Sequence, residues 1–184
     1  MATDIATFKA ALPYGGARPS LFQMEVTTAT DIDAIPDFSS FCNVSAIPPL
    51  TVTPIERQYF GRTVKIPGDI VYGDLSTSII NTEDMNVKDI IESWMEKING
   101  ATTNLGYSDS TSMYGTMTLI QYGKDGDSLL KWNFKDCWPT AIAEVALSYD
   151  TASDIEQFDV TWAYNYYTQE IGASNTVTQY ADQE

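Results

Sequence analysis

Alternating apolar and polar positions run along much of the chain and predict strands separated by turns. The clearest case is EQFDVTWAYNYY, residues 156–167, in which every second residue is apolar. One face of this segment would carry Phe158, Val160, Trp162, Tyr164 and Tyr166. A period of two is typical of a strand with one buried face. We therefore expect one long strand whose aromatic face lies in the core.

The same alternation, bounded by turn-forming residues, predicts further strands. They are expected at residues 21–28, 41–47, 73–80, 114–122, 128–136 and 140–150, and residues 55–66 have the composition of a hairpin. An Asp-Gly pair in GKDGD, between the runs at 114–122 and 128–136, favours a tight hairpin turn. The segment 47–68 has prolines near both ends and is expected to protrude as a hairpin.

One segment has the period of a helix instead. In NVKDIIESWMEKING, residues 86–100, every third or fourth residue is apolar, which gives one apolar face. Asn86 is the expected N-cap residue, and Gly100 suits the position after the last turn. Lys88 and Glu92 are spaced to form an ion pair on the outer face. We expect a helix over about 86–99 that covers one side of a sheet.

One helix among about seven or eight strands predicts an α+β fold that is mainly β. We expect an antiparallel β-sandwich or half-barrel with this one flanking helix, in a single domain of 184 residues. Residues 1–20 are expected to be a flexible N-terminal arm, and residues 168–184 a C-terminal arm. The predicted core contains Ile90, Ile91, Trp94, Ile98, Trp132, Phe134, Phe158 and Trp162.

The charge of the chain limits the kinds of molecule that its surface can bind. The formal net charge is −15, and no Lys or Arg follows Lys135. Such a surface repels nucleic-acid phosphates. It can be interpreted as an ordinary solubilising surface or as one that must lie near DNA without binding it. Three of the ten basic residues, Arg57, Arg62 and Lys65, are concentrated in the protruding segment.

Candidate chemistry is nearly absent. The chain has no histidine, which removes histidine-based catalysis and metal binding, and Cys42 and Cys137 form no metal or redox motif. We therefore predict no catalytic residue, no cofactor and no metal site. Acidic pairs such as Glu83 and Asp84 leave open an acidic ligand-binding or hydrolytic β domain. We expect no membrane anchor and no secretory signal, because no apolar run is long enough.

Two stretches carry a resemblance to a known family. DIIESWMEKINGATTN resembles the helix of the tail tube proteins of contractile-tailed bacteriophages. GTMTLIQYGKDGDSLLKWNFKDCWPTAIAEVALSYDTASDIEQFDVTWAYNYY resembles the C-terminal half of the same family. In its last strand the matching positions are Glu156, Phe158, Val160, Thr161, Trp162, Tyr164 and Tyr166. Tube proteins of type VI secretion systems and tailocins are related to this family.

The resemblance implies a structural protein and not an enzyme. Members form hexameric rings whose sheets join between subunits, and the rings stack into the inner tube of the tail. The lumen would conduct DNA during ejection without binding it specifically. Tail sheath, baseplate and tape-measure proteins would be partners, and the virion tail would be assembled in the host cytoplasm. A secretion or tailocin tube is the alternative within the same fold.

The resemblance also suggests roles for particular residues. Contacts between rings are expected from the protruding segment, at Arg57, Tyr59, Phe60, Arg62 and Lys65; an ordinary exposed hairpin is the alternative. Polar strand residues are expected to face the lumen, namely Thr116, Thr118, Lys131 and Asn133. Because Lys and Arg around a ring would retain DNA, we expect the lumen to carry no net positive charge. Lys131 fits that expectation least well.

Overall fold

A computed structural model describes residues 5–12, 15–106, 110–145, 147–149 and 155–171. The helices are α1 (Ile5–Ala11), α2 (Phe38–Phe41) and α3 (Asn86–Ile98), with a 3₁₀ turn at Ser110–Met113. The strands are β1 (Phe22–Thr27), β2 (Cys42–Ser45), β3 (Leu50–Tyr59), β4 (Arg62–Tyr72), β5 (Leu75–Ile80), β6 (Gly115–Tyr122), β7 (Ser128–Ile142), β8 (Gln157–Ala163) and β9 (Tyr166–Ile171). Among the described residues, no helix is long and apolar enough to cross a membrane.

Two antiparallel sheets share strand β7. Its first half pairs with β6 and β9, and β1 pairs with β6, which gives the order β1-β6-β7-β9, hereafter the front sheet. Its second half pairs with β8, which gives the order β7-β8-β5-β2, hereafter the back sheet. Strands β3 and β4 form a separate two-stranded hairpin. The predicted fold class, mainly antiparallel β with a flanking helix, is confirmed, and the described strands do not close into a barrel.

Strand β7 changes sheets at a bulge around Asp136. The pairing of β6 with β7 shifts by one residue between Gly115–Cys137 and Met117–Phe134, and Asp136 has a positive φ of 56°. The neighbouring chain is held at the same corner, because Asn165 donates its backbone N–H to the carbonyl of Lys135 and its side-chain amide to Asp136. Bulges bend a strand and increase its twist, which allows one strand to serve two sheets.

The segment 156–167 is two strands, so the prediction of one long strand is wrong. Strand β8 ends at Ala163 in the back sheet, and β9 begins at Tyr166 in the front sheet. The expected aromatic face is buried as far as Tyr164, but Tyr166 is 47% exposed and Tyr167 packs against the core instead. Crossing the corner changes the register by one residue, and such a shift exchanges the two faces of a strand.

Prolines caused two further errors in the predicted boundaries. Strand β7 continues through Pro139 to Ile142, and residues 143–145 are not strand, so the strand predicted at 140–150 is wrong. The hairpin of β3 and β4 spans 50–72 and includes the pair Pro54 and Pro67. Its strands are therefore longer than the predicted hairpin residues 55–66, and its second strand continues past the end of the predicted segment 47–68. Proline is tolerated at bulges and on edge strands, and register shifts accompany both cases.

Helix α3 packs its apolar face against the sheets as predicted. Val87, Ile90, Ile91 and Trp94 are buried, and Ile98 is half-buried against the same core. The Trp94 indole lies 5.9 Å from that of Trp162 and donates a hydrogen bond to the carbonyl of a residue in the 3₁₀ turn. The remaining predicted core residues are also buried, namely Trp132, Phe134, Phe158 and Trp162.

The ends of α3 confirm one capping prediction and correct another. The N-cap position is Met85, in a left-handed conformation, because α3 begins at the predicted cap Asn86 itself. Gly100 follows the C-cap Asn99, as expected. The predicted ion pair between Lys88 and Glu92 is present, with nitrogen and oxygen 2.6 Å apart.

The terminal segments differ in part from simple arms. Within residues 1–20, helix α1 is formed by residues 5–11, and none of its side chains is buried. Within residues 168–184, positions 168–171 belong to β9, and the rest lie outside the described residues. The paired part of the chain therefore extends further toward the C-terminus than the sequence pattern indicates.

Gly115 offers a sharp test of the packing between α3 and the front sheet. A Cβ placed there would lie 2.4 Å from the carbonyl oxygen of Thr27 and 2.7 Å from the Trp94 ring. We expect Gly115→Ala to lower the free energy of unfolding by about 1–3 kcal/mol in urea denaturation. Gly123→Ala is the control, because its new Cβ meets nothing nearer than 3.5 Å. Equal stability of the two variants would contradict this packing.

Candidate functional site

No group of three or more potential metal ligands among the described residues is close enough to hold a metal ion. Cys42 and Cys137 are free, buried thiols, and burial raises the pKa of each to about 12. A thiol that remains protonated is a poor nucleophile.

The outer side of the front sheet, hereafter the polar face, is one exposed surface. Its residues alternate with the buried Met117, Leu119, Trp132 and Phe134 along β6 and β7. Pairing across the four strands aligns two rows. One row contains Glu25, Thr118, Asn133 and Thr168, and the other contains Gln23, Ile120, Lys131 and Glu170.

Hydrogen bonds connect side chains across the polar face. Thr118 donates its hydroxyl to the Asn133 carbonyl oxygen at 3.2 Å, and the Asn133 amide donates to a carboxylate oxygen of Glu170 at 2.9 Å. Nearby, the Tyr122 hydroxyl donates to Gln23 at 2.8 Å. The first two contacts link β6, β7 and β9, and the third links β6 to β1, so hydrogen bonds between side chains reach all four strands.

The charges on the polar face are balanced. Its carboxylates are Glu25 and Glu170, and its ammonium groups are Lys131 and Lys135, so the four strands contribute two charges of each sign. Lys131 lies directly opposite Glu170 in the pairing of β7 with β9. The cation that fitted the lumen prediction least well therefore has an anion beside it.

The two edges of the front sheet are open in the described part of the chain. Strand β1 pairs only with β6, and β9 pairs only with β7, so each leaves one side of its backbone unpaired. An open edge presents a row of backbone donors and acceptors that readily pair with a strand from another chain. The front sheet could thus continue into the sheets of neighbouring copies on both sides.

The hairpin of β3 and β4, hereafter the projecting hairpin, is the second exposed surface. Every residue of β3 is exposed. Toward the tip, cross-strand pairing places Ile55, Arg57, Tyr59, Arg62, Val64 and Ile66 on one side, hereafter the apolar hairpin face. The opposite side is more polar and carries an ion pair, in which Lys65 and Glu56 are 3.2 Å apart.

The tip of the projecting hairpin presents two aromatic rings. Phe60 and Gly61 form the turn, both with positive φ, and the Phe60 side chain is 89% exposed. Its ring meets that of Tyr59 edge to face, with centroids 4.7 Å apart. A bulky residue at positive φ is unusual and costly, and such strain concentrates at functional sites.

An aromatic cluster anchors the base of the projecting hairpin. Tyr72, the last residue of β4, has its ring 5.4 Å from that of Tyr167 and 6.0 Å from that of Tyr164, both near the sheet corner. The rest of the hairpin has no such support among the described residues, and a two-stranded hairpin on its own is only marginally stable in water. Its exposed apolar side chains form the kind of surface that marks contacts with other proteins.

The structure places the first predicted set on one face of the front sheet and the second set on the projecting hairpin. Thr116, Thr118, Lys131 and Asn133 all lie on the polar face. Arg57, Tyr59 and Arg62 lie on the apolar hairpin face, Phe60 at the tip, and Lys65 on the opposite side. The sequence interpretation missed Thr168 and Glu170 of β9, whose only signal was a short polar alternation.

Comparisons with known proteins identify the family. The profile described as phage tail tube protein matches residues 7–170, most of the chain. The chain belongs to the phage tail tube protein family. This membership confirms the resemblance found in the helix and the C-terminal strands.

Two curated relatives agree with that assignment. This tail tube protein is 25% identical over 152 residues to tail tube protein gp19 of Enterobacteria phage T4. The match covers 82% of this chain and 90% of the relative. Tail tube protein gp19 of Enterobacteria phage T6 has the same identity and coverage.

Solved structures share the fold. A chain of the sheath–tube complex of an extracellular contractile injection system, PVC, superposes with a TM-score of 0.60 at 18% identity. The match covers 92% of this chain and 99% of the other. The sheath/tube terminator of the same system gives a TM-score of 0.62 at 17% identity, covering 84% and 96%. The sheets of this tail tube protein therefore have the same fold as those two chains.

The buried thiols predict a characteristic reactivity. At pH 8 we expect a thiol reagent to leave Cys42 and Cys137 of the folded chain unmodified and to modify both in urea. The pKa in the unfolded chain is near the ordinary 9.0, whereas that of the folded chain is about 12. The free energy of unfolding should therefore fall as pH rises from about 9 toward 12. Rapid modification of folded protein would contradict the buried placement.

The polar network predicts how β9 is held. Asn133→Asp would replace a donor to Glu170 with a second carboxylate. We expect amide exchange in β9 to accelerate about fivefold, which corresponds to a loss of about 1 kcal/mol. Gln169→Glu, on the same strand but the other face, is the control; an equal effect there would argue against the network.

Proposed function

We propose that this tail tube protein assembles into hexameric rings that stack into the inner tube of a contractile phage tail. The supporting observation is the front sheet, which has an open edge on each side and one polar, charge-balanced face. Pairing β9 of one copy with β1 of the next would continue the sheet around the ring. Closure removes the exposed edges that otherwise cause aggregation.

The dimensions of such a ring suit a DNA channel. Six copies of four strands give a wall of about 24 strands, spaced by about 4.8 Å and tilted by about 40°. The resulting barrel is about 48 Å in diameter between backbones. Even with side chains projecting inward, a double helix could pass through it.

The polar face would line this channel. Because Lys131 and Lys135 are matched by Glu25 and Glu170, the wall carries no cationic excess to bind phosphates. DNA would therefore slide along a hydrated, hydrogen-bonding surface without a specific grip. We assign the chain no catalytic step and no cofactor in this role.

The projecting hairpin would connect one ring to the next. A head-to-tail contact between different surfaces repeats indefinitely, and this generates a filament. The exposed apolar side chains and the aromatic tip would then be covered in the tube and exposed only on the free chain. Arg57 and Arg62 would meet acidic groups of the adjacent ring.

Further partners follow from the place of a tube within a tail. The structural relatives come from sheath–tube and baseplate assemblies, so we assign the outer surface to the sheath and the first ring to the baseplate. A tape-measure protein would occupy the lumen before DNA, in a virion tail assembled in the host cytoplasm. Injection-system tubes share this fold, but the curated relatives are phage proteins, which favours the phage tail.

Microscopy of the purified chain tests the proposal directly. Size-exclusion chromatography and negative-stain images should show rings or tubes about 80–100 Å wide, the width of six domains around a pore. A charge map of the resolved lumen should show no net positive potential. A compact monomer at every concentration would refute the ring, and a basic lumen would refute the assignment of the polar face.

Reversing the hairpin charges tests the contact between rings. We expect Arg57→Glu combined with Arg62→Glu to lower tube yield at least about tenfold, because each substitution would place an anion against acidic groups. Arg57→Lys with Arg62→Lys is the matched control and should retain most assembly. Tube yield can be counted in negative-stain images. An unchanged yield in the double Glu variant would exclude this role.

A further inference from the structure

A groove lies beside the N-terminal half of α3. Its volume is about 510 Å³, and its walls come from α3 and the residue before it, from residues 142–145 at the end of β7, from Leu147, and from Glu156 just before β8. The apolar part of its lining includes Met85, Ile142, Val145 and Leu147. Leu147 is 83% exposed, which is unusual for a leucine beside other apolar groups. The groove is thus an apolar surface that the described residues leave uncovered.

The same groove has an excess of carboxylates. Three glutamates line it, Glu92, Glu144 and Glu156, against the single cation Lys88. Lys88 is already paired with Glu92, and that hydrogen bond is the main reason why the pKa of Lys88 is raised. Glu144 is exposed and forms no ion pair among the described residues. The groove therefore has two negative charges without a matching cation.

The apolar hairpin face has the complementary composition. Arg57 and Arg62 flank Val64 in the pairing of β3 with β4, and Ile55 and Ile66 continue the apolar surface. Neither arginine forms an ion pair with any described residue. This face thus offers two cations and several apolar side chains, where the groove offers two anions and several apolar side chains.

We propose that the projecting hairpin of one copy docks its apolar face and aromatic tip in the α3 groove of a copy in the adjacent ring. This inference rests on the proposed tube function and identifies the surface that receives the hairpin. The docking covers two apolar surfaces at once and places Arg57 and Arg62 near Glu144 and Glu156. Because hairpin and groove are different surfaces, the contact propagates from ring to ring and does not close between two copies.

Charge sets the register of this contact. Arginine pairs well with carboxylates at protein interfaces, since its planar guanidinium can donate two parallel hydrogen bonds. Glu156 already accepts a hydrogen bond from Asn81 at 2.6 Å, which fixes its carboxylate. Glu144 has no such restraint and is the better site for substitution. Wrong registers would place an arginine beside Lys88, which is unfavourable.

Disulfide trapping tests the contact in assembled tubes. Phe60→Cys combined with Leu147→Cys in one chain places one thiol on the hairpin tip and one at the groove. After assembly and mild oxidation, a non-reducing gel should show a ladder of linked subunits, because each chain would join the next. The native Cys42 and Cys137 are buried and do not interfere. Phe60→Cys with Leu105→Cys, at another exposed leucine, is the control and should give no ladder.

Charge exchange provides a second test that needs no cysteine. Arg57→Glu alone should lower tube yield about tenfold, and adding Glu144→Arg should restore most of it. Glu96→Arg, elsewhere on the exposed side of α3, makes the same change in net charge and should not restore assembly. Tubes without a ladder, or without this selective rescue, would overturn the groove assignment and leave the tube function intact. Failure of the unmodified chain to form rings would overturn both.

Discussion

Strand β7 must belong to two sheets at once, and the rest of the structure depends on this constraint. Its bulge at Asp136 turns the strand from the front sheet into the back sheet, and Asn165 fixes the neighbouring chain at the same point. Because both sheets contain β7, they are joined at this corner by one continuous strand. This strand closes the core between the two sheets on that side. Helix α3 then covers the core through Trp94, which packs on Trp162 of the back sheet. The polar face is thereby left free on the outside of the front sheet.

Stability and assembly are divided between different parts of the chain. The two sheets and α3 bury the large aromatic residues Trp94, Phe134, Phe158 and Trp162 within one chain. The projecting hairpin buries almost nothing of its own and rests on the aromatic cluster around Tyr72. Its apolar side chains contribute free energy only when another chain covers them. Strain at Phe60 fits this division, because its cost is borne at the exposed tip and not in the core.

The sequence predicted the elements well where a single period persisted. The helix face from Val87 to Trp94 and the alternation from Phe158 to Trp162 both correspond to buried surfaces. Prediction failed where tertiary contacts decide the outcome. Nothing local shows that the chain changes sheets between Tyr164 and Tyr166, or that Pro139 lies at an irregularity within a continuing strand. The sequence predicted the part of the polar face on β6 and β7 but not the part on β9. Strand pairing, which the sequence does not show, brings Glu170 beside Lys131.

In the tube that we propose, the balanced charge of the polar face has a consequence for how the lumen responds to its surroundings. Attraction between a cationic wall and DNA weakens steeply as salt rises, because counterions compete for the phosphates. A wall whose lysines are matched by carboxylates lacks that dependence. Resistance to a moving polyanion would then come from hydration and shape, which change little with ionic strength. The speed of passage should therefore be nearly the same in dilute medium and in the concentrated interior of a cell.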